Sequence, residues 1–76
     1  MNRLYVVRPS VAGWAIASEG LWLEFESGAR AEATARRLAQ ADAEAGTCAE
    51  VRIMLRDGAI AGVSIYQKSA VLVPTA

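Results

Sequence analysis

The chain is 76 residues long, 54% apolar and 21% charged. That length suits one domain, and the balance is too apolar for a disordered chain and too interrupted by charge for a membrane protein. Eight Lys and Arg offset eight Asp and Glu, for a formal net charge of zero, and there is no His and one Cys. These counts argue against a strongly basic nucleic-acid module, and they remove His-dependent triads, most zinc sites and any internal disulfide. At this size folding buries only roughly 60–65% of the surface of the unfolded chain, so the core is marginal unless something supplements it.

The first segment, Arg3-Leu4-Tyr5-Val6-Val7-Arg8, is rich in β-branched and aromatic residues and runs into Pro9, which is expected to halt a strand ladder. Both faces of residues 4–7 are apolar, so either could meet the core. Pro9 to Gly13 reads as a loop. Trp14 to Ser18 alternates large and small side chains as a second strand, and Glu19-Gly20 is a turn. Leu21-Trp22-Leu23-Glu24-Phe25-Glu26 has a clear two-residue period, with Leu21, Leu23 and Phe25 on one face and Trp22, Glu24 and Glu26 on the other.

Ser27 has the chemistry of a helix N-cap, since its hydroxyl can accept from a free N–H of the first turn. Residues 28–45 are mostly strong helix formers and carry eight alanines. Ala31, Ala35, Leu38 and Ala45 fall in one narrow sector, with Ala39 and Ala41 flanking it, and Glu32 and Arg36 form an i,i+4 pair in the favourable order. Asp42 sits awkwardly in the apolar sector. Gly46 stops the helix. So small a face suits a helix laid closely on a sheet rather than a coiled-coil stripe.

From Ala49 to Tyr66, Arg56-Asp57-Gly58 separates two strand-like runs. A three-residue turn with Gly58 left-handed pairs Leu55 with Ala59, Ile53 with Ala61 and Val51 with Val63, all apolar on one face, whereas a two-residue turn would put the apolar faces out of phase. The other face then carries Arg52, Met54, Ile60, Gly62 and Ser64. After the polar break Gln67-Lys68-Ser69, the run Ala70-Val71-Leu72-Val73 ends at Pro74. It is either a short last strand on its own sheet or a tail that pairs with another chain.

These residues suggest a family. Tyr5-Val6-Val7, Gly13-Trp14-Ala15-Ile16, Phe25 and Ser27, the Ala-rich helix, Glu50-Val51 with Ile53, and Arg56-Asp57-Gly58 with Ile60 resemble the small bacterial domain-of-unknown-function family 2188 over about residues 4–61. The resemblance implies a similar length and fold and no particular activity. The apolar Leu21–Phe25 segment and the apolar end depart from it.

The expected fold is therefore a single α+β domain, residues 1–76, of order β-β-β-α-β-β with a possible short sixth strand: one antiparallel sheet with a single helix on one face, and 69–76 as an apolar tail or terminal strand. The expected core is Val6, Trp14, Ile16, Leu23, Phe25, Ala31, Ala35, Leu38, Val51, Ile53, Leu55, Val63 and Ile65. With one helix available, the second sheet face should be wet. Trp22 beside Met54 and Ile60 would form an apolar patch there unless a loop or the C-terminal run covers it.

The candidate interface is thus Trp22, Met54, Ile60, Val71, Leu72 and Val73, used by a homodimer or an unidentified protein partner. The alternative is a nucleic-acid or antitoxin-like regulatory surface on Arg52, Arg56 and Tyr66, with Arg3 and Arg8 nearby. The neutral balance and the neighbouring Glu19, Glu24 and Glu26 make nucleic acid the weaker choice. Glu24 and Glu26 lie about 7 Å apart on a strand, and nothing in so short a chain suggests the cleft a glycosidase pair needs. The glycines do not have phosphate-loop spacing, and Cys48 lacks a base to activate it. No catalytic, metal-binding or cofactor-binding residue is singled out, so no enzyme activity and no cofactor are expected. No apolar run approaches membrane-helix or signal-peptide length, so a soluble cytosolic protein is expected.

Overall fold

The computed structural model describes residues 2–68 and 70–73. The chain order is β1 (Asn2–Ser10), β2 (Gly13–Ser18), β3 (Leu21–Phe25), α1 (Gly28–Glu44), β4 (Cys48–Met54), β5 (Ile60–Gln67) and β6 (Ala70–Leu72). The six strands form one sheet in the order β3-β2-β1-β4-β5-β6, with the helix on one face.

The sheet is mixed, not purely antiparallel as the sequence suggested: β1 and β4 run parallel, from Asn2↔Cys48 to Val7↔Ile53. The reason lies in the connection. Two hairpin turns leave β3 running in the same direction as β1. A helix of 17 residues, about 25 Å long, then carries the chain back to the end of the sheet where β3 began. The next strand must therefore run parallel to β3, and so to β1. β1 is a central strand, paired on both edges, and its apolar Leu4 and Val6 lie on the face the helix does not cover, opposite the buried Tyr5 and Val7. Pro9 halts pairing on one side only: the ladder to β4 ends at Val7, while pairing to β2 continues through Pro9↔Trp14 to Ser10↔Gly13.

The helix ends follow from local chemistry. The Ser27 hydroxyl accepts the Arg30 N–H at 3.2 Å. At the other end Gly46 has φ +96°, its N–H reaches the Ala43 carbonyl, and the Thr47 N–H reaches the Asp42 carbonyl at 2.8 Å, which together make a Schellman closure. Ala31, Ala35, Ala39 and Ala43 are buried at i,i+4 spacing and press on Tyr5, Val7, Ile16, Ala49, Val51 and Tyr66. The buried stripe is thus displaced from the expected sector: Ala45 and Ala41 are exposed, and Leu38 is half-buried. Trp14, Leu21, Leu23, Phe25 and Ile53 complete the core at its margins.

Four expected core residues lie elsewhere. The β4–β5 hairpin begins as expected, with Gly58 at φ +88° and the Leu55 N–H donating to the Ala59 carbonyl at 2.8 Å. A bulge at Ile53/Met54 then leaves Ala61 as an extra residue, so that Ile53 faces Gly62 and Val51 faces Ser64. One inserted residue reverses every later side chain. Val63 and Ile65 therefore move to the face away from the helix, and Gly62, Ser64 and Tyr66 move to the helix side. Leu55, in the turn, is 45% exposed. Val6 alternates with the buried Tyr5 and Val7 and so lies on the uncovered face, half-buried.

Candidate functional site

The helix covers one side of the sheet, and among the described residues no segment covers the other. Strand pairing arranges that second face in rows. One row runs Trp22, Ala17, Val6, Arg52, Val63 across β3, β2, β1, β4 and β5. A row nearer the carboxyl ends of β1 and β4 holds Glu24, Ala15 and Arg8, with the Met54–Ile60 pair beyond them on β4 and β5. A third row holds Leu4, Glu50, Ile65 and Leu72. Trp22 is 52% exposed and Ile60 54% exposed, with Leu4 and Leu72 also exposed. Ala15 is fully buried yet is no part of the helix-side core; in register it lies in the low ground between Arg8 and Glu24.

The expected interface residues are only partly united. Trp22, Met54, Ile60 and Leu72 share the uncovered face. Trp22, however, stands on β3 at one edge, three strands or about 14 Å from Met54, with Ala17 and Val6 bridging the gap. The second apolar group on this face is Met54, Ile60, Val63, Ile65 and Leu72. Gly62 inside the strand is a local signal of a bulge, but the signal does not say which residue is inserted, so the outward turn of Val63 and Ile65 is not legible from it. Val71 pairs with Tyr66 and belongs to the helix side, at an exposed edge the helix does not reach. Residues Ala70–Leu72 pair with β5 of their own chain, and Val73 follows exposed. Ser69 and residues 74–76 of the expected tail lie outside the described residues.

The basic-aromatic alternative is not brought together. Tyr66 is buried, 6% exposed, on the helix side, so it offers no stacking surface. Arg52 lies on the opposite face and is held by Glu50 through Nε at 3.0 Å and a terminal nitrogen at 2.7 Å. Arg56 lies in the β4–β5 turn. Glu24 and Glu26 are both exposed on the edge segment. Cys48 is a free, exposed thiol. Among the described residues no group of three or more His, Cys, Asp or Glu could hold a metal ion, and no helix is long and apolar enough to cross a membrane.

One titratable cluster lies beneath the end of the helix. The Tyr5 hydroxyl donates to Asp42 Oδ2 at 2.5 Å, and Arg3 Nε lies 3.8 Å from the same oxygen. This accounts for an acidic residue in an otherwise apolar helix sector: Asp42 ties the last turn of α1 to β1. Burial, then the Asp42 hydrogen bond, push the Tyr5 phenol above its ordinary value of 10.0, with Arg3 opposing in part. A folded-state value above the unfolded one stabilises the fold fully below pH 10 and loses that contribution as pH rises through the folded value. Denaturant melts from pH 9 upward should therefore show stability falling above about pH 10 in the wild type and falling less in Tyr5→Phe. At neutral pH Tyr5→Phe should cost about 1–2 kcal/mol, because Asp42 loses a hydrogen bond but stays partly solvated.

No protein-family model, curated protein or solved structure matches this chain.

Proposed function

We propose that this chain is a small, non-catalytic interaction module that acts as a homodimer through the uncovered face of its sheet. The observation that carries the reading is the chemistry of that face. Leu4, Val6, Trp22, Met54, Ile60, Val63, Ile65 and Leu72 present apolar side chains to it, at positions where a one-sided sheet ordinarily alternates to polar residues. Its charges, Arg8 and Arg52 against Glu24 and Glu50, balance, so two copies can meet without net repulsion.

Size supports the same reading. The molecule extends 34 × 28 Å in its two longer directions, which bounds the face at about 950 Å2, and a stable interface buries about 800 Å2 per partner. A two-fold axis along the strands would place Trp22 of one copy over the Val63 and Ile65 side of the other. Burial of this face would supplement a core that a chain of this length builds only marginally. A free Cys48 thiol and the charge-balanced surface suit the reducing cytosol. The likeness to family 2188, carried by Gly13-Trp14, the Ala-rich helix and the Arg56-Asp57-Gly58 turn, is a proposal about fold and adds no activity. A nucleic-acid role draws no comparable support, since Arg52 is neutralised by Glu50 and Tyr66 is buried.

Native mass spectrometry and sedimentation test the proposal. The wild type should have twice the 8.1 kDa chain mass at micromolar concentration, and Val63→Glu should have the single mass with an unchanged far-ultraviolet spectrum. A wild type that stays monomeric at millimolar concentration, or a dimer indifferent to charge at Val63, rules the face out as the interface.

A further inference from the structure

We propose that the crevice beyond the carboxyl ends of β1 and β4 is a binding site for a small organic phosphate. The parallel pair creates it. After β1 the chain turns away to β2, and after β4 it turns the other way to β5, so the two hairpin tips part and leave a gap above the two central strands. This is the switch-point geometry at which open sheets with parallel strands accept ligands, because neither connection crosses the gap.

A cavity of about 470 Å3 lies there, lined on the β1 side by Val6, Arg8 and Ser10 and on the β4 side by Met54, Leu55 and Arg56. Both guanidiniums are without an ion-pair partner among the described residues. No carboxylate lines the cavity. The nearest acid in sequence, Asp57, is occupied by the Ala59 N–H at 2.9 Å, and Glu24 stands across Ala15 from Arg8, outside ion-pair distance. The Ser10 hydroxyl oxygen is buried and is the one such side-chain polar atom without a hydrogen-bond partner among the described residues. A buried hydroxyl left unpaired is costly, and rotation of the Ser10 side chain toward the cavity it lines would let a ligand oxygen satisfy it.

Two positive charges and a hydroxyl donor match a doubly charged phosphate monoester, which two guanidiniums can hold by charge-assisted hydrogen bonds. The Val6, Met54 and Leu55 wall gives the esterified group an apolar surface. The site borders the proposed dimer face and shares Val6, Arg8 and Met54 with it, while Ser10, Leu55 and Arg56 belong to the hairpin tips at the end of the sheet.

The test is an NMR titration of the 15N-labelled chain with phenyl phosphate, inorganic phosphate and benzoate. Phenyl phosphate should shift the amides of Arg8, Ser10, Val11 and Leu55–Gly58 saturably, and bind several-fold more tightly than either other probe. Arg8→Gln and Arg56→Gln should each weaken it about tenfold, while Arg30→Gln on the helix leaves it unchanged. Both substituted side chains are exposed, so the variants keep the wild-type spectrum elsewhere. Shifts that never saturate, that centre on Arg30 and Arg37, or that persist in both crevice variants overturn the site. Equal binding of phenyl and inorganic phosphate overturns the organic ligand. Tighter binding of a single-stranded oligonucleotide that lacks a terminal phosphate overturns the small-molecule assignment.

Discussion

Ala35→Leu should destabilise the protein by about 3 kcal/mol, the upper end of the usual cost of overpacking a core. Ala35 is fully buried in the middle of the Ala31, Ala35, Ala39, Ala43 stripe. The stripe lets the backbone of α1 lie close to the sheet, and the bulky side chains all come from the strands: Tyr5, Val7, Ile16, Val51 and Tyr66. A leucine in the middle of that contact has no empty volume to enter. It must lift the helix, which loses packing along all four alanines at once. A 76-residue domain has about 4–11 kcal/mol of total stability, so this one change brings it near unfolding at room temperature. Urea melts monitored by far-ultraviolet circular dichroism measure it directly. Ala33→Leu, on the exposed face of the same helix, should change stability by about 0.5 kcal/mol or less. Equal midpoints for the two variants would mean that close helix–sheet contact is not what the alanines provide.

Gly13→Ala should cost about 2–3 kcal/mol, the sum of a strained backbone and a steric contact. Gly13 has φ +132°, and a Cβ there would lie 2.9 Å from the Glu26 carbonyl oxygen and 3.0 Å from that of Phe25. These are backbone atoms at the end of β3, so no side chain can swing aside to relieve the clash. Gly58 separates the two effects. It has φ +88° with open space around it, so Gly58→Ala should pay only the left-handed penalty of about 1 kcal/mol. The difference between the two urea midpoints measures the close approach of β2 to the β3–α1 junction. Identical losses would reduce Gly13 to an ordinary turn glycine.

The parts of this fold that could be read in advance are those whose causes lie within a few residues. The Ser27 cap, the Gly46 stop, the two-residue period of Leu21–Phe25 and the left-handed Gly58 each depend on neighbours in the chain, and each is found where the sequence put it. The errors share a different cause. Asp42 looked misplaced because its partner, Tyr5, is 37 positions away. Val63, Ile65 and Tyr66 lie on the faces opposite to those their spacing predicts, because one bulged residue, Ala61, shifts the register of everything after it.

The candidate surface divides in the same way. That a single helix leaves one sheet face uncovered, and that Trp22 points to it, follows from counting elements and from the alternation of Leu21–Phe25. That Trp22 stands apart from Met54 and Ile60 follows from strand order, to which no local pattern is sensitive. The Arg8–Ser10–Arg56 crevice was invisible for the same reason: it exists only because β1 and β4 lie side by side with their connections diverging.

By itself, then, the sequence determined the elements, their ends and the close seat of an alanine-faced helix, because capping, turn conformation and periodicity are short-range energies. Tertiary structure decided the strand order, the parallel central pair and the inward or outward sense of β5. Those depend on the direction in which a helix returns the chain and on a register accumulated along it, so only the assembled sheet specifies them.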